Sequence, residues 1–134
     1  MIEPTKVTPY EQLGGEAKVR EIAARFYDAM DEHEPALAGL HRLDERGKVH
    51  PEAREKFALF FIGWLGGPQT YMERHGHPRL RMRHAGVEVT QEMRDAWMRA
   101  MKRALDESGI EGELRAFMEE RLGDVATMLR NAPG

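Results

Sequence analysis

Apolar residues recur at spacings of three and four along most of the chain, and no stretch alternates with a period of two. That spacing predicts helices, each with one apolar stripe. The first block begins after Gly14-Gly15, where Val19, Ile22, Ala23, Phe26, Tyr27 and Met30 share a face. Pro35 closes it, and a short apolar segment runs from Ala36 to Leu40. Residues 41–51, HRLDERGKVHP, are polar and contain Gly and Pro, so they read as a loop. Pro51 suits the first turn of the next helix. That helix carries Ala53, Phe57, Phe60, Phe61 and Trp64, is the most hydrophobic block, and stops at GGP, 66–68. The third block follows Thr90, a good N-cap, and places Met93, Trp97, Met101, Ala104 and Leu105 on one side. Ser108-Gly109 breaks it. The last block carries Leu114, Phe117, Met118, Leu122, Val125 and Leu129. The expectation is an all-α fold of four main helices with long connections, without internal repeats.

Composition narrows the function classes. With 134 residues the chain suits one domain with a sizeable core. Hydrophobic residues are 41% and charged residues 32%, an ordinary balance for a folded domain. A net charge of -3 argues against nucleic-acid binding through a general basic field. No apolar run approaches the ~20 residues of a membrane span, and the N-terminal MIEPTKVTPYEQ has no apolar signal core. A cytoplasmic protein is expected. Cysteine is absent, which excludes disulfides, thiolate ligands and cysteine nucleophiles.

The stretch GHPRLRMRH, 76–84, departs from this ordinary picture: three Arg and two His enclose Leu80 and Met82. His75 and His77 form an H-x-H pair with His84 seven residues on, which permits a zinc reading. No carboxylate lies among them, and the arginines would repel a cation. His84 follows Leu80 by four residues and shares its face if the segment is helical. One inward histidine with arginines at intervening positions suits a flat ligand with an iron centre and carboxylate edges, such as haem. A histidine hydrogen-bonded within a basic surface helix is the alternative. His33 and His50 sit among polar neighbours and read as surface groups. Tyr27 and Trp97 each lie on an apolar stripe and would pass as core, except that a buried Tyr wants a partner for its hydroxyl.

Taken together, these pieces resemble a group II truncated haemoglobin, from about Tyr10 to Leu129. The resemblance rests on Gly14-Gly15, Phe26-Tyr27, GWLGGPQTY (63–71), GHPRLRMRH (76–84), AWMRAM (96–101) and GIEGELRAFMEERL (109–122), in that order. It implies a two-over-two helical sandwich enclosing one haem b, with His84 as the proximal iron ligand. Tyr27, His41 and Trp97 would form a distal network, with Phe57 over the haem and Ala53 at a gate one turn earlier. A Trp at the position of Trp97 marks this group. Lys56, Arg81, Arg83 and Tyr71 would approach the propionates, with Phe60, Trp64, Leu80 and Met82 as apolar wall. The whole of 1–134 would be one truncated-globin domain, with 1–9 an N-terminal extension and 130–134 a C-terminal tail. The link HRLDERGKVHPEA is longer than is usual in the family, and Phe57 stands where some relatives carry a ligand-bonding Gln.

The implied function is reversible binding of oxygen and other diatomic gases at haem iron, as in oxygen transport. The alternative is a haem enzyme, a peroxidase or a nitric oxide dioxygenase, using the same site. The expected partners are those gases and an unidentified reductase, with no nucleic acid and no membrane. The chain would be a monomer or a homodimer.

Overall fold

The computed structural model describes residues 7–131. Most of the expected N-terminal extension, the last three residues, and the side chains of Arg81 and Arg83 lie outside the described residues. Within them the elements are helical: α1 (Pro9–Leu13), α2 (Glu16–His33), α3 (Pro35–Ala38), α4 (Pro51–Trp64), α5 (Thr70–His75), α6 (Leu80–His84), α7 (Gln91–Glu107) and α8 (Gly112–Leu129). The described residues hold no strand, only one isolated antiparallel bridge between Leu43 and Val49.

The four long helices are the four expected blocks, and local chemistry sets their ends. Thr90 caps α7 by accepting the Met93 amide at 3.1 Å. His50, expected as a plain surface group, caps α4: its Nδ1 accepts the Glu52 amide at 3.1 Å, and Pro51 fills the first helical position. Gly14 and Gly15, at φ 108° and 92°, make the turn from α1 into α2.

The stripes bury one another. α2 bears on both α4 and α7, and α7 packs on α8, so α2 and α4 form one layer and α7 and α8 the other. Val19, Ile22, Phe26 and Met30 of α2, Phe61 of α4, Met101 and Leu105 of α7 and Met118 of α8 form the fully buried centre. Residues of this size each contribute about 1.5–3 kcal/mol by leaving water. α1 closes one end. The Tyr10 amide donates to the Leu65 carbonyl at 2.9 Å, and the Tyr10 ring lies across Gly67 so closely that a Cβ there would sit 2.6 Å from it.

The long loop before α4 is ordered by its own bonds. The Asp44 carboxylate accepts the amides of Arg46 and Lys48 at 2.8 and 3.0 Å, around Gly47 at φ 76°. At its far end the Val49 amide donates to the Asp31 carboxylate at 3.1 Å, and the Arg54 guanidinium donates to the Val49 carbonyl at 3.0 Å. Arg54 also pairs with Asp31 and Asp28. The loop is thereby fastened to α2 and α4 beside Tyr27, whose ring centroid lies 5.5 Å from the Arg54 guanidinium.

Candidate functional site

A cavity of about 230 Å³ opens between the α3 end, α6 and the α7–α8 layer. Its wall is mostly apolar: Leu37, Leu40, Val87, Val89, Met93, Val125, Ala126 and Leu129. Four groups with chemistry line it as well: His41, His84, Arg94 and Trp97. A few polar groups in an apolar hollow is the usual make-up of a cofactor site.

His84 ends α6 and is half-buried. Its Nδ1 lies 2.7 Å from the Leu80 carbonyl, one turn back. A carbonyl only accepts, so Nδ1 carries a proton, and in the neutral imidazole the lone pair is on Nε2. That is the state in which an imidazole binds a metal, with its other nitrogen tied to a backbone carbonyl. His41 mirrors it. It follows α3, and its Nδ1 donates to the Leu37 carbonyl at 3.0 Å, which leaves its Nε2 lone pair free as well. Burial first, and the facing His84 imidazole as a smaller cause, hold His41 below the ordinary histidine range. α3 is kept in place by Glu34, which receives a paired hydrogen bond from Arg99 of α7 at 2.8 and 3.0 Å.

Tyr27 stands beside His41, its ring centroid 5.8 Å away and nearly perpendicular. It is 5% exposed, and among the described residues its hydroxyl makes no hydrogen bond within the protein. Burial pushes its ionisation above the ordinary tyrosine value, against a weaker pull from Arg54, so the hydroxyl stays protonated as a donor. Phe57 packs against Tyr27 at 5.6 Å and against Phe26 at 5.2 Å. Trp97 meets Phe26 edge-on at 5.1 Å and offers an N–H that can only donate. Tyr27, His41, Phe57 and Trp97 thus form one cluster around Phe26, with Ala53 half-buried a turn before Phe57.

The other expected residues spread more widely. Tyr71 is buried edge-on to Phe60, at 6.0 Å. Leu80 serves through its carbonyl, whereas Met82 and Lys56 are exposed. Trp64 stacks on Phe61 and borders a groove with Thr8, Pro9, Phe117 and Arg121, apart from the cavity. The zinc alternative finds no cluster. His75 lies against Tyr71 at 5.0 Å, His77 accepts the Arg79 amide at 3.2 Å, and among the described residues no three metal-ligating side chains gather. Arg94 was missed by sequence reasoning. It lines the cavity while donating to Thr127 and Asp95, each at 3.2 Å, and in the sequence it is one surface charge among many. Among the described residues no helix is long and apolar enough to cross a membrane.

Two facing histidines with free Nε2 atoms, apolar walls and a buried donor hydroxyl fit a haem. The chain belongs to the bacterial-like globin family, whose model matches residues 8–131, and within it to the group II truncated haemoglobins. It is 40% identical to the group 2 truncated hemoglobin YjbI of Bacillus subtilis over 114 residues, 85% of this chain and 81% of the relative. The group II truncated hemoglobin of Bacillus anthracis superposes with a TM-score of 0.87 at 34% identity, covering 99% of this chain and 96% of that one. A hemoglobin from Chloroflexus aurantiacus superposes at 0.84 with 41% identity, covering 97% of this chain and all of its own. The fold is therefore the two-over-two truncated globin, and haem iron is its cofactor.

Proposed function

We propose that this protein binds oxygen and other diatomic ligands reversibly at a haem whose iron is held by His84. The observation that carries the reading is the Nδ1–Leu80 bond at 2.7 Å, which fixes the neutral tautomer with Nε2 available in a residue that lines an apolar cavity together with His41 and Trp97. Haem iron supplies the binding site for the gas. The chain supplies orientation, exclusion of water and hydrogen bonds. Tyr27 and Trp97 donate to a ligand that carries partial negative charge, and in a dry pocket such bonds are stronger than in water. His41, with Nδ1 engaged by the Leu37 carbonyl and burial disfavouring its cation, keeps Nε2 as an acceptor rather than a donor to the ligand. Ala53, Phe57 and Phe60 are assigned to the apolar side of the haem, and Lys56, Tyr71, Arg81 and Arg83 to the propionate edge. A related protein of Bacillus subtilis, 38% identical and with a TM-score of 0.83, is described as an oxygen-avid truncated haemoglobin. An unidentified reductase is assigned the return of iron to the ferrous state.

The test is an absorption spectrum of the purified protein, oxidised, reduced and under carbon monoxide, for wild type and His84→Ala. A Soret band that shifts with carbon monoxide in the wild type and is lost or altered in the variant is expected. Identical spectra would remove His84 from the iron. A second reading, peroxidase chemistry, draws on the free Nε2 of His41, a base beside the cavity. Peroxide turnover above that of free haem and lost in His41→Ala would favour it.

A further inference from the structure

The segment that carries His84 has little support of its own. α6 is five residues long, and a helix that short does not hold itself in water. The carbonyls near its C-terminal end are short of intrahelical partners, as at any helix end. The His84 carbonyl accepts the Val87 amide at 3.0 Å, and further donors reach it and the Val87 carbonyl from the far end of the chain. The Asn131 Nδ2 donates to the His84 carbonyl at 3.2 Å and to the Val87 carbonyl at 2.9 Å. Its Oδ1 accepts the Val89 amide at 2.8 Å, and its own backbone amide donates to the Val89 carbonyl at 2.8 Å.

Both N–H groups and the oxygen of one carboxamide are therefore spent on residues 84–89. Only an amide side chain matches that demand: two carbonyls require donors and one amide requires an acceptor. An aspartate has no donor, a shorter serine only one, and an apolar residue has neither donor nor acceptor. Val87 and Val89 also line the cavity, so one side chain fixes both the cavity wall and the carbonyl of the histidine. His84 is thus tied at two points, its ring at Nδ1 to Leu80 and its backbone carbonyl to Asn131.

We propose that Asn131, in the segment expected to be a C-terminal tail, is a positioning residue for His84: it clamps the 84–89 loop to the end of α8 and sets how firmly His84 can hold the iron. This rests on the reading of His84 as iron ligand. The experiment uses the haem-loaded protein and the variants Asn131→Asp, which keeps an acceptor for Val89 and removes both donors, and Asn131→Ala, which removes all three bonds. In Asn131→Ala amide exchange at Val89 is expected to rise about tenfold, and in Asn131→Asp, which keeps that acceptor, to stay nearer wild type, with α2 and α7 unchanged in both, since each lost bond contributes modestly. Haem transfer to an acceptor apoglobin should also quicken about tenfold, and the iron–histidine stretching band of the ferrous form should shift. Wild-type haem loss together with an unmoved band would overturn the proposal, even if Val89 exchanges faster. His84→Ala serves as the separate control. An iron–histidine band that survives there overturns the ligand assignment and the proposal with it, and Val89 exchange in the Asn131 variants then still reports whether the clamp exists.

Discussion

Trp97 is half-buried, its ring edge against Phe26 and its indole at the cavity wall. An indole N–H only donates, so Trp97→Phe keeps the aromatic packing and deletes the donor. A hydrogen bond to a charged group contributes about 1.5–3 kcal/mol. We expect the oxygen dissociation rate to rise by about tenfold or more, ~1.4 kcal/mol at the lower end; a stopped-flow trace matching wild type would take Trp97 out of ligand stabilisation. His41 gives a prediction of another kind. Its folded-state pKa lies below the ordinary histidine value because burial disfavours the cation. On acidification the unfolded chain therefore takes up its proton first. The stability it contributes is complete above the unfolded value, about 6.5, and is lost as pH falls through that value towards the lower folded one. The urea midpoint of wild type should drop between about pH 7 and pH 5. In His41→Phe that part of the drop should be absent, and a parallel drop in both would show that His41 is not its source. His84 stood out in the sequence by its spacing from Leu80 amid arginines, whereas Tyr27 and Trp97 would pass there as core, and their expected roles and that of His41 came from the family resemblance. Arg54, Arg94 and Asn131 were not legible there, since a charged or amide residue takes its meaning from partners far away in the chain.

Long helices announce themselves through repetition, and short ones do not. α2, α4, α7 and α8 each run long enough for the three-and-four spacing to recur, and each lay where that spacing placed it. α1 and α5, of five and six residues, are too short to show a period, and the sequence pattern missed them. The break at residues 66–68 was visible, but the need for two glycines there was not. Gly66 takes φ 99°, and a Cβ on it would sit 2.8 Å from the Thr8 side chain. A Cβ on Gly67 would meet the ring of Tyr10, whose backbone is bonded to Leu65. Gly67→Ala forces α1 away from the α4 end. The expected loss is about 1–3 kcal/mol, the usual range for overpacking, measured as a shift in denaturation midpoint. Combining it with Tyr10→Ala should restore part of that loss if the ring clash is the cause, and a double variant no better than additive would point to backbone strain instead.

The molecule as a whole has two kinds of stability. The α2–α4–α7 centre is filled by side chains that touch one another, Phe26, Phe61, Met30, Met101 and Leu105, and none of them lines the cavity. The second region is the cavity itself, walled by α3, α6, the 84–89 loop, α8 and the first turns of α7, where apolar side chains border a gap. A cofactor bound there by the folded state alone stabilises it by mass action, about 4 kcal/mol when present at a thousand times its dissociation constant. For a chain of this length that is a melting shift of roughly 10 °C or more. Haem removal should therefore lower the melting temperature by at least that amount. The loss should be local in kind: amide exchange should quicken at residues 84–89 and in α3, while Ile22, Phe26 and Met101 stay protected. Calorimetry and exchange on the same apoprotein check both halves. An apoprotein that melts with the holoprotein would mean that the cavity is rigid without its cofactor. An apoprotein that loses α2 and α7 protection as well would mean that the two layers cohere only through the haem, and that the buried aromatic centre does not hold by itself.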